Sequence, residues 1–180
     1  MSTVKAQPPL AMSSSGLQAL ISRWSLARWA PLPHRLIVGY GFFAHGVAKL
    51  EKGPEHFVDI LHAIGTPAPY FMAWLTIFVE LFGGLAVLFG AFVPWVSAPM
   101  IAVLLVAIFT VHLPFGFTSI KLIAVTAEGP KFGPPGYETD LLYLACLETL
   151  VLAGSGPLAV DNCIATRFRS SRVIRMDTPA

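Results

Sequence analysis

Charged side chains are scarce in this chain. Asp, Glu, Lys and Arg make up 12% of the 180 residues, about half the roughly 25% that soluble domains carry, and the mean hydropathy is +0.68. Water is therefore excluded as its main solvent. Cysteine is nearly absent: Cys146 lies in an apolar run and Cys163 in a basic tail, with no CxxC, CxxCH or paired spacing. That pattern offers no basis for a disulfide framework, a zinc site or covalent haem attachment. Arginine is missing between Arg35 and Arg167. The opening residues lack the apolar stretch and small-residue cleavage site of a secretory signal, and Gln7-Pro8-Pro9 and Ser13-Ser14-Ser15 predict disorder through about Ser15. No repeat of fixed period is evident.

What fills the chain instead is apolar, at 55% of residues. Runs at about 34–52, 70–93, 95–117 and 137–160 each suit a helix of roughly 20 residues, the length needed to cross a bilayer. The expected fold is all-α: a four-transmembrane-helix bundle over residues 34–160, preceded by a tail over 1–33 and followed by a basic tail over 161–180. Within the first tail, Leu17, Leu20, Ile21 and Trp24 recur at helical spacing from Gly16 to Ala30, which predicts a short interfacial helix. Between the first two spans, Pro54 opens a stretch in which Phe57, Ile60, Leu61 and Ile64 oppose Glu55 and Asp59. This reads as an amphipathic helix on the outer surface, stopped by Gly65-Thr66-Pro67. Pro94 marks a tight inner turn, and the glycine- and proline-rich stretch from Thr118 to Gly136 reads as a loop.

Lys5, Arg23, Arg28 and Arg35 precede or open the first span, and Arg167, Arg169, Arg172 and Arg175 follow the last. Basic flanks stay on the cytoplasmic side, so both termini face inward and the number of crossings is even. The tails can touch anionic membrane lipid. Topology already accounts for these arginines, so no nucleic-acid partner is inferred.

Arg35, Gly39, Phe42, Gly46 and Lys49 recur at steps of four and three, so they share one helix face, and that face looks into protein. Gly39 and Gly46 let a neighbouring helix approach closely, as do Gly83 and Gly84. Arg35 and Lys49 lie near opposite ends, where long side chains snorkel to the interfaces.

The candidate chemistry rests on a few ionisable side chains. With spans one and three climbing outward and two and four descending, Lys49, His112 and Glu138 converge at the outer boundary. His45 lies a turn deeper, and Glu80 and Glu148 fall near mid-membrane. Glu80 is the sharpest clue, because an intramembrane carboxylate is costly unless it faces inward and finds a partner; a neutral Glu80 bonding a neighbouring helix is the structural alternative. His112 either orients a ligand or moves a proton, or else secures the broken helix end near Pro114. His45 and His112 as haem ligands would be a thin donor set, and the Glu-x-x-His spacing of carboxylate-bridged metal bundles is absent. No metal site is expected.

Several stretches together resemble the DoxX family of small four-helix membrane proteins over about Leu36 to Asp161. They are GYGFFAHGVAKL from Gly39, Gly65-Thr66-Pro67, ELFGGLAVLFG from Glu80, HLPFGF from His112, GYE from Gly136, and GSGPLAVD ending at Asp161. The resemblance implies a multi-pass protein of the bacterial cytoplasmic (inner) membrane engaged in redox work, with members linked to thiosulfate-to-quinone electron transfer and to thiol-handling oxidoreductase assemblies. It puts Lys49, Glu80, His112 and Glu138 on family motif positions.

The expectation that follows is a membrane subunit supporting quinone-linked oxidation of a small, sulfur-containing substrate reached from the outer face. In it Lys49, with His45 and Tyr137, binds the substrate, His112 and Glu138 exchange protons, and Glu80 serves a buried quinone oxygen. Two other classes stay open. One is a non-enzymatic scaffold that recruits a redox partner through the basic tails; the other is a small transporter, which four helices without an inverted repeat oppose unless the chain forms a homo-oligomer.

Overall fold

The computed structural model describes residues 26–164. The predicted interfacial helix over Gly16–Ala30 falls outside them, apart from a 3-10 turn at Leu26–Trp29. The C-terminal arginines lie outside them too.

Helix α1 runs over Pro31–Glu51 and the short α2 over Pro54–Ala63, each with proline in its first turn, where a missing N–H costs nothing. Helix α3 spans Pro69–Phe89 and α4 spans Val93–Phe115. A β-hairpin follows, β1 Leu122–Thr126 and β2 Gly129–Phe132, antiparallel with Leu122 opposite Phe132. Helix α5, Glu138–Ala153, closes the bundle.

Helices α3 and α4, with mean hydropathies of 2.0 and 2.3, are long and apolar enough to cross a membrane. At 21 residues α1 is about 31 Å long but carries Arg35 and Lys49; α5 has only 16 residues.

The fold departs from the expected one at three places. The fold is mostly helical rather than all-α, because Leu122 to Phe132 form a hairpin where a loop was expected. The turn between α3 and α4 lies at Gly90–Phe92, with Gly90 at φ 67 and Phe92 at φ 52, and Pro94 belongs to the first turn of α4. The last helix stops at Ala153, because Gly154 takes φ 84, which only glycine adopts without strain.

The bundle is inverted relative to a soluble domain. Its outside carries Tyr40, Phe71, Phe78, Phe109 and Trp95, the last 80% exposed, whereas Arg35, Glu80 and Ser97 are buried. Lipid is the solvent that such a surface suits. Inside, Val38, Phe42, Val87, Met100, Leu104 and Leu147 form the core. Helices α1 and α3 meet backbone to backbone: a Cβ on Gly39 would stand 2.7 Å from the Leu88 nitrogen, and one on Gly84 would stand 2.6 Å from the Phe43 nitrogen. The face of α1 predicted from Arg35 to Gly46 is buried, as the four-three spacing required.

Candidate functional site

A cavity of about 570 Å³ opens at the end of the bundle where α1 ends, α3 begins and α4 ends, within the range of small-molecule sites. Helix α2 supplies one wall. Its predicted stripe of Phe57, Ile60, Leu61 and Ile64 lines the cavity, facing Val79 of α3 and Val103 and Val106 of α4. Into this apolar setting project His45, Lys49, Lys52, His56, Glu80 and His112.

Lys49 Nζ lies 2.6 Å from each carboxylate oxygen of Glu80. The sequence reading had Lys49 snorkelling at the outer boundary with Glu80 deeper; instead the ammonium turns inward. Glu80 is 5% exposed, and a buried carboxylate is better served by a cation at hydrogen-bonding distance than by none. The Phe57 ring covers the ammonium, its centroid 4.8 Å from Nζ, so α2 is tied to the ion pair by a cation–π contact.

Glu80 belongs to a π-helical stretch, Val79–Gly83, and His112 ends a second, Ile108–His112. Such widened turns concentrate at functional sites. Gly46 lets α1 approach the first: a Cβ there would fall 2.8 Å from Leu81 Cγ. Gly83 similarly faces Met100, whose sulfur would lie 3.0 Å from an added Cβ.

His112 bridges the cavity and α5. Its Nδ1 lies 3.2 Å from the Pro135 carbonyl and its Nε2 3.8 Å from Asp140 Oδ2. Both ring nitrogens therefore face oxygen acceptors, a setting that accommodates an added proton. Asp140 is also within electrostatic reach of His45. Asp140 was not singled out from the sequence; its position as the third residue of α5 is the signal that could have found it.

Of the sequence-predicted residues, Lys49, Glu80, His45 and His112 come together at the cavity. Glu138 and Tyr137 do not line it. A Glu138 carboxylate oxygen accepts from the Ser119 N–H at 3.0 Å, and the Tyr137 ring meets Phe117 edge-on with centroids 5.7 Å apart. Both fasten the connection between α4 and α5. Lys52 and His56, at the cavity mouth, were not singled out from the sequence.

Arg35 does not snorkel either. It is 2% exposed at the opposite end of the bundle, where its guanidinium donates to the carbonyls of Val87 at 3.2 Å, Leu88 at 2.8 Å, Ser155 at 3.1 Å and Pro157 at 3.2 Å. It thus satisfies carbonyls at the end of α3 and in the turn after α5. Asp161 Oδ1 accepts from Phe92 N at 2.8 Å and Oδ2 from Val93 N at 3.3 Å, capping α4. These contacts explain the chemistry of the GSGPLAVD stretch.

An ammonium, a carboxylate and imidazoles around an apolar cavity can hold a flat ligand by its edges, donate hydrogen bonds to its oxygens and pass protons. Among the described residues no three His, Cys, Asp or Glu side chains gather as a metal site would need.

Residues 30–113 match the family model described as DoxX. A protein of Bacillus subtilis (strain 168) named "Putative oxidoreductase CatD" is 34% identical over 128 residues, covering 71% of this chain and 81% of the relative. No solved structure matches the chain significantly.

Proposed function

The chain belongs to the DoxX family of membrane proteins, and on that premise we propose that it is a membrane oxidoreductase subunit whose cavity supports quinone-linked oxidation of a substrate reached from the outer face. The observation that carries this reading is the Lys49–Glu80 ion pair at 2.6 Å in the wall of an apolar cavity. The name of the Bacillus subtilis relative supports the redox class.

Features of the cavity support a quinone as its occupant. Its volume of about 570 Å³ and apolar walls suit a ring and the start of its tail, and its ammonium and imidazole are donors for the two ring carbonyls. Lys49, by its third N–H, and His112, by its Nε2, which lies 3.8 Å from Asp140 and so is not held by a hydrogen bond to it, would hold those oxygens. A bound quinone supplies acceptance of two electrons and two protons. For their part, Lys49 and Glu80 hold an exchangeable proton between Nζ and Oε atoms, His112 carries one between the cavity and Asp140, and the α2 stripe keeps water out.

Because Lys49 is engaged by Glu80, the cation left to meet an incoming anion is Lys52, with the His56 imidazole beside it at the mouth. The basic flanks and the positive-inside rule support an even number of crossings with both termini cytoplasmic, which we read as four crossings of a bacterial inner membrane. Helices α1 and α5 cross in company with α3 and α4, sheltering Arg35 and Glu80.

The test is mass spectrometry of an organic extract of protein purified in mild detergent, with Glu80→Gln and the doubly neutral Lys49→Met/Glu80→Gln as controls. Stoichiometric quinone in the parent, lost in both variants, is the expected result. A parent without quinone, in preparations that keep their fold, would rule the reading out.

A further inference from the structure

Glu148 is used by neither the cavity nor the polar knot around Arg35. It is the eleventh residue of α5, counted from Glu138, about 15 Å along the axis and about 8 Å short of the helix end. Its side chain is exposed on the outer face of the bundle and has no hydrogen-bond or ion-pair partner among the described residues. If α5 crosses the membrane, as the four-span reading holds, that carboxyl group faces hydrocarbon. Such positions are costly and are met by pairing, and the short Glu side chain cannot reach the headgroups as Lys or Arg can.

Its neighbours point to the partner. Leu141, Ala145, Glu148 and Leu152 are all exposed at steps of four, three and four, the seam of two packed helices. Ala145 lets a second backbone approach. Thr149 is already satisfied, its hydroxyl donating to the Ala145 carbonyl at 2.8 Å, so Glu148 is the single unmet polar group on this face. A protonated carboxylic acid has one donor and an acceptor and so complements another copy of itself across a two-fold axis, where each residue meets its own counterpart. Lipid offers no such match.

We propose that the exposed face of α5 joins two copies of this chain into a homodimer, with the neutral carboxyl groups of the two Glu148 residues hydrogen-bonded to each other. The proposal rests on the four-span reading but not on the quinone.

The test is disulfide trapping in liposomes of the full chain with Cys146 and Cys163 changed to Ser. Single cysteines are placed at Ala145 and Leu152, and at Phe109 of α4 as an exposed control. Rapid dimer capture at positions 145 and 152 but not at 109 is expected. Glu148→Gln, which keeps a donor and an acceptor, retains the dimer. Glu148→Leu weakens association by roughly threefold to thirtyfold, the worth of an intramembrane hydrogen bond, read as a shift of the monomer–dimer midpoint against protein-to-lipid ratio by single-molecule photobleaching. Monomers at every ratio, equal trapping at 109, or a midpoint unmoved by Glu148→Leu would overturn the dimer face. Accessibility of the hairpin tip, measured on the same protein, separates that outcome from a failure of the four-span reading.

Discussion

Lys49 and Glu80, 31 positions apart in the chain, share a proton-carrying contact of 2.6 Å to both carboxylate oxygens. It joins the C-terminal end of α1 to the π-helical turn of α3 and places a matched pair of charges beside an apolar cavity. Neither residue has that environment without the other.

Removing one partner leaves the other charge buried, which costs about 3–5 kcal/mol. Lys49→Met and Glu80→Leu should each lower the unfolding free energy by about that amount, whereas Lys49→Met/Glu80→Leu together should recover most of it. Unfolding in mixed detergent micelles reads this as a double-mutant cycle; additive losses would show that the pair is not coupled.

The glycines should divide by what surrounds them. Gly84→Ala places a Cβ 2.6 Å from the Phe43 backbone nitrogen, and should cost about 2 kcal/mol or more, or prevent folding, because backbone cannot give way as a side chain can. Gly65→Ala has open space but φ 76, and should cost only the left-handed penalty of about 1–2 kcal/mol. Thermal stability in detergent distinguishes the two.

Arg35→Lys should not substitute for arginine. One ammonium cannot reach the four carbonyls that the planar guanidinium serves, so the loss should be about 3 kcal/mol or more, at about 1–3 kcal/mol for each buried acceptor left unmet. Yield of folded protein and its melting temperature report the effect; a stable Arg35→Lys variant would contradict the clamp described here.

The four-crossing reading predicts that Glu128→Cys, at the hairpin tip, reacts with a membrane-impermeant maleimide added outside intact cells once Cys146 and Cys163 are replaced by Ser. Reporters fused to either end should respond only from the cytoplasm. Labelling of residue 128 only after permeabilisation would reverse the orientation.

The buried face of α1 could be read from spacing alone, because Arg35, Gly39, Phe42 and Gly46 repeat with the helical period. So could the amphipathic α2, whose stripe now walls the cavity. The Lys49–Glu80 pair could not: depth counted along straight helices put the two apart, since a linear sequence records neither the inward turn of a lysine side chain nor a π-helical stretch. The hairpin was legible in principle. Leu122 to Thr126 is rich in β-branched residues, and only Ala127 and Glu128 separate it from Gly129 at φ 121, the pattern of a short β-turn. The abundance of Gly and Pro between Thr118 and Gly136 obscured it. Glu138 was expected at the site from the order of the spans and from its motif, and Tyr137 as its neighbour, yet both fasten the loop that carries His112's neighbour Pro135.

The two ends of the bundle are built unequally. Around Arg35 and Asp161 the ends of α1, α3 and α4 and the turn after α5 are tied together by side chains bonded to backbone atoms, while at the opposite end α1 and α3 are spread around a cavity and joined by the Lys49–Glu80 ion pair. In such a body a rigid tilt has its pivot near the tied end, as in a clothes-peg. With arms about 30 Å long, a tilt of roughly 5° at the knot opens the far rim by about 2.6 Å, close to the thickness of a water molecule. Arg35, at the tied end, is thus the point about which such a tilt would turn.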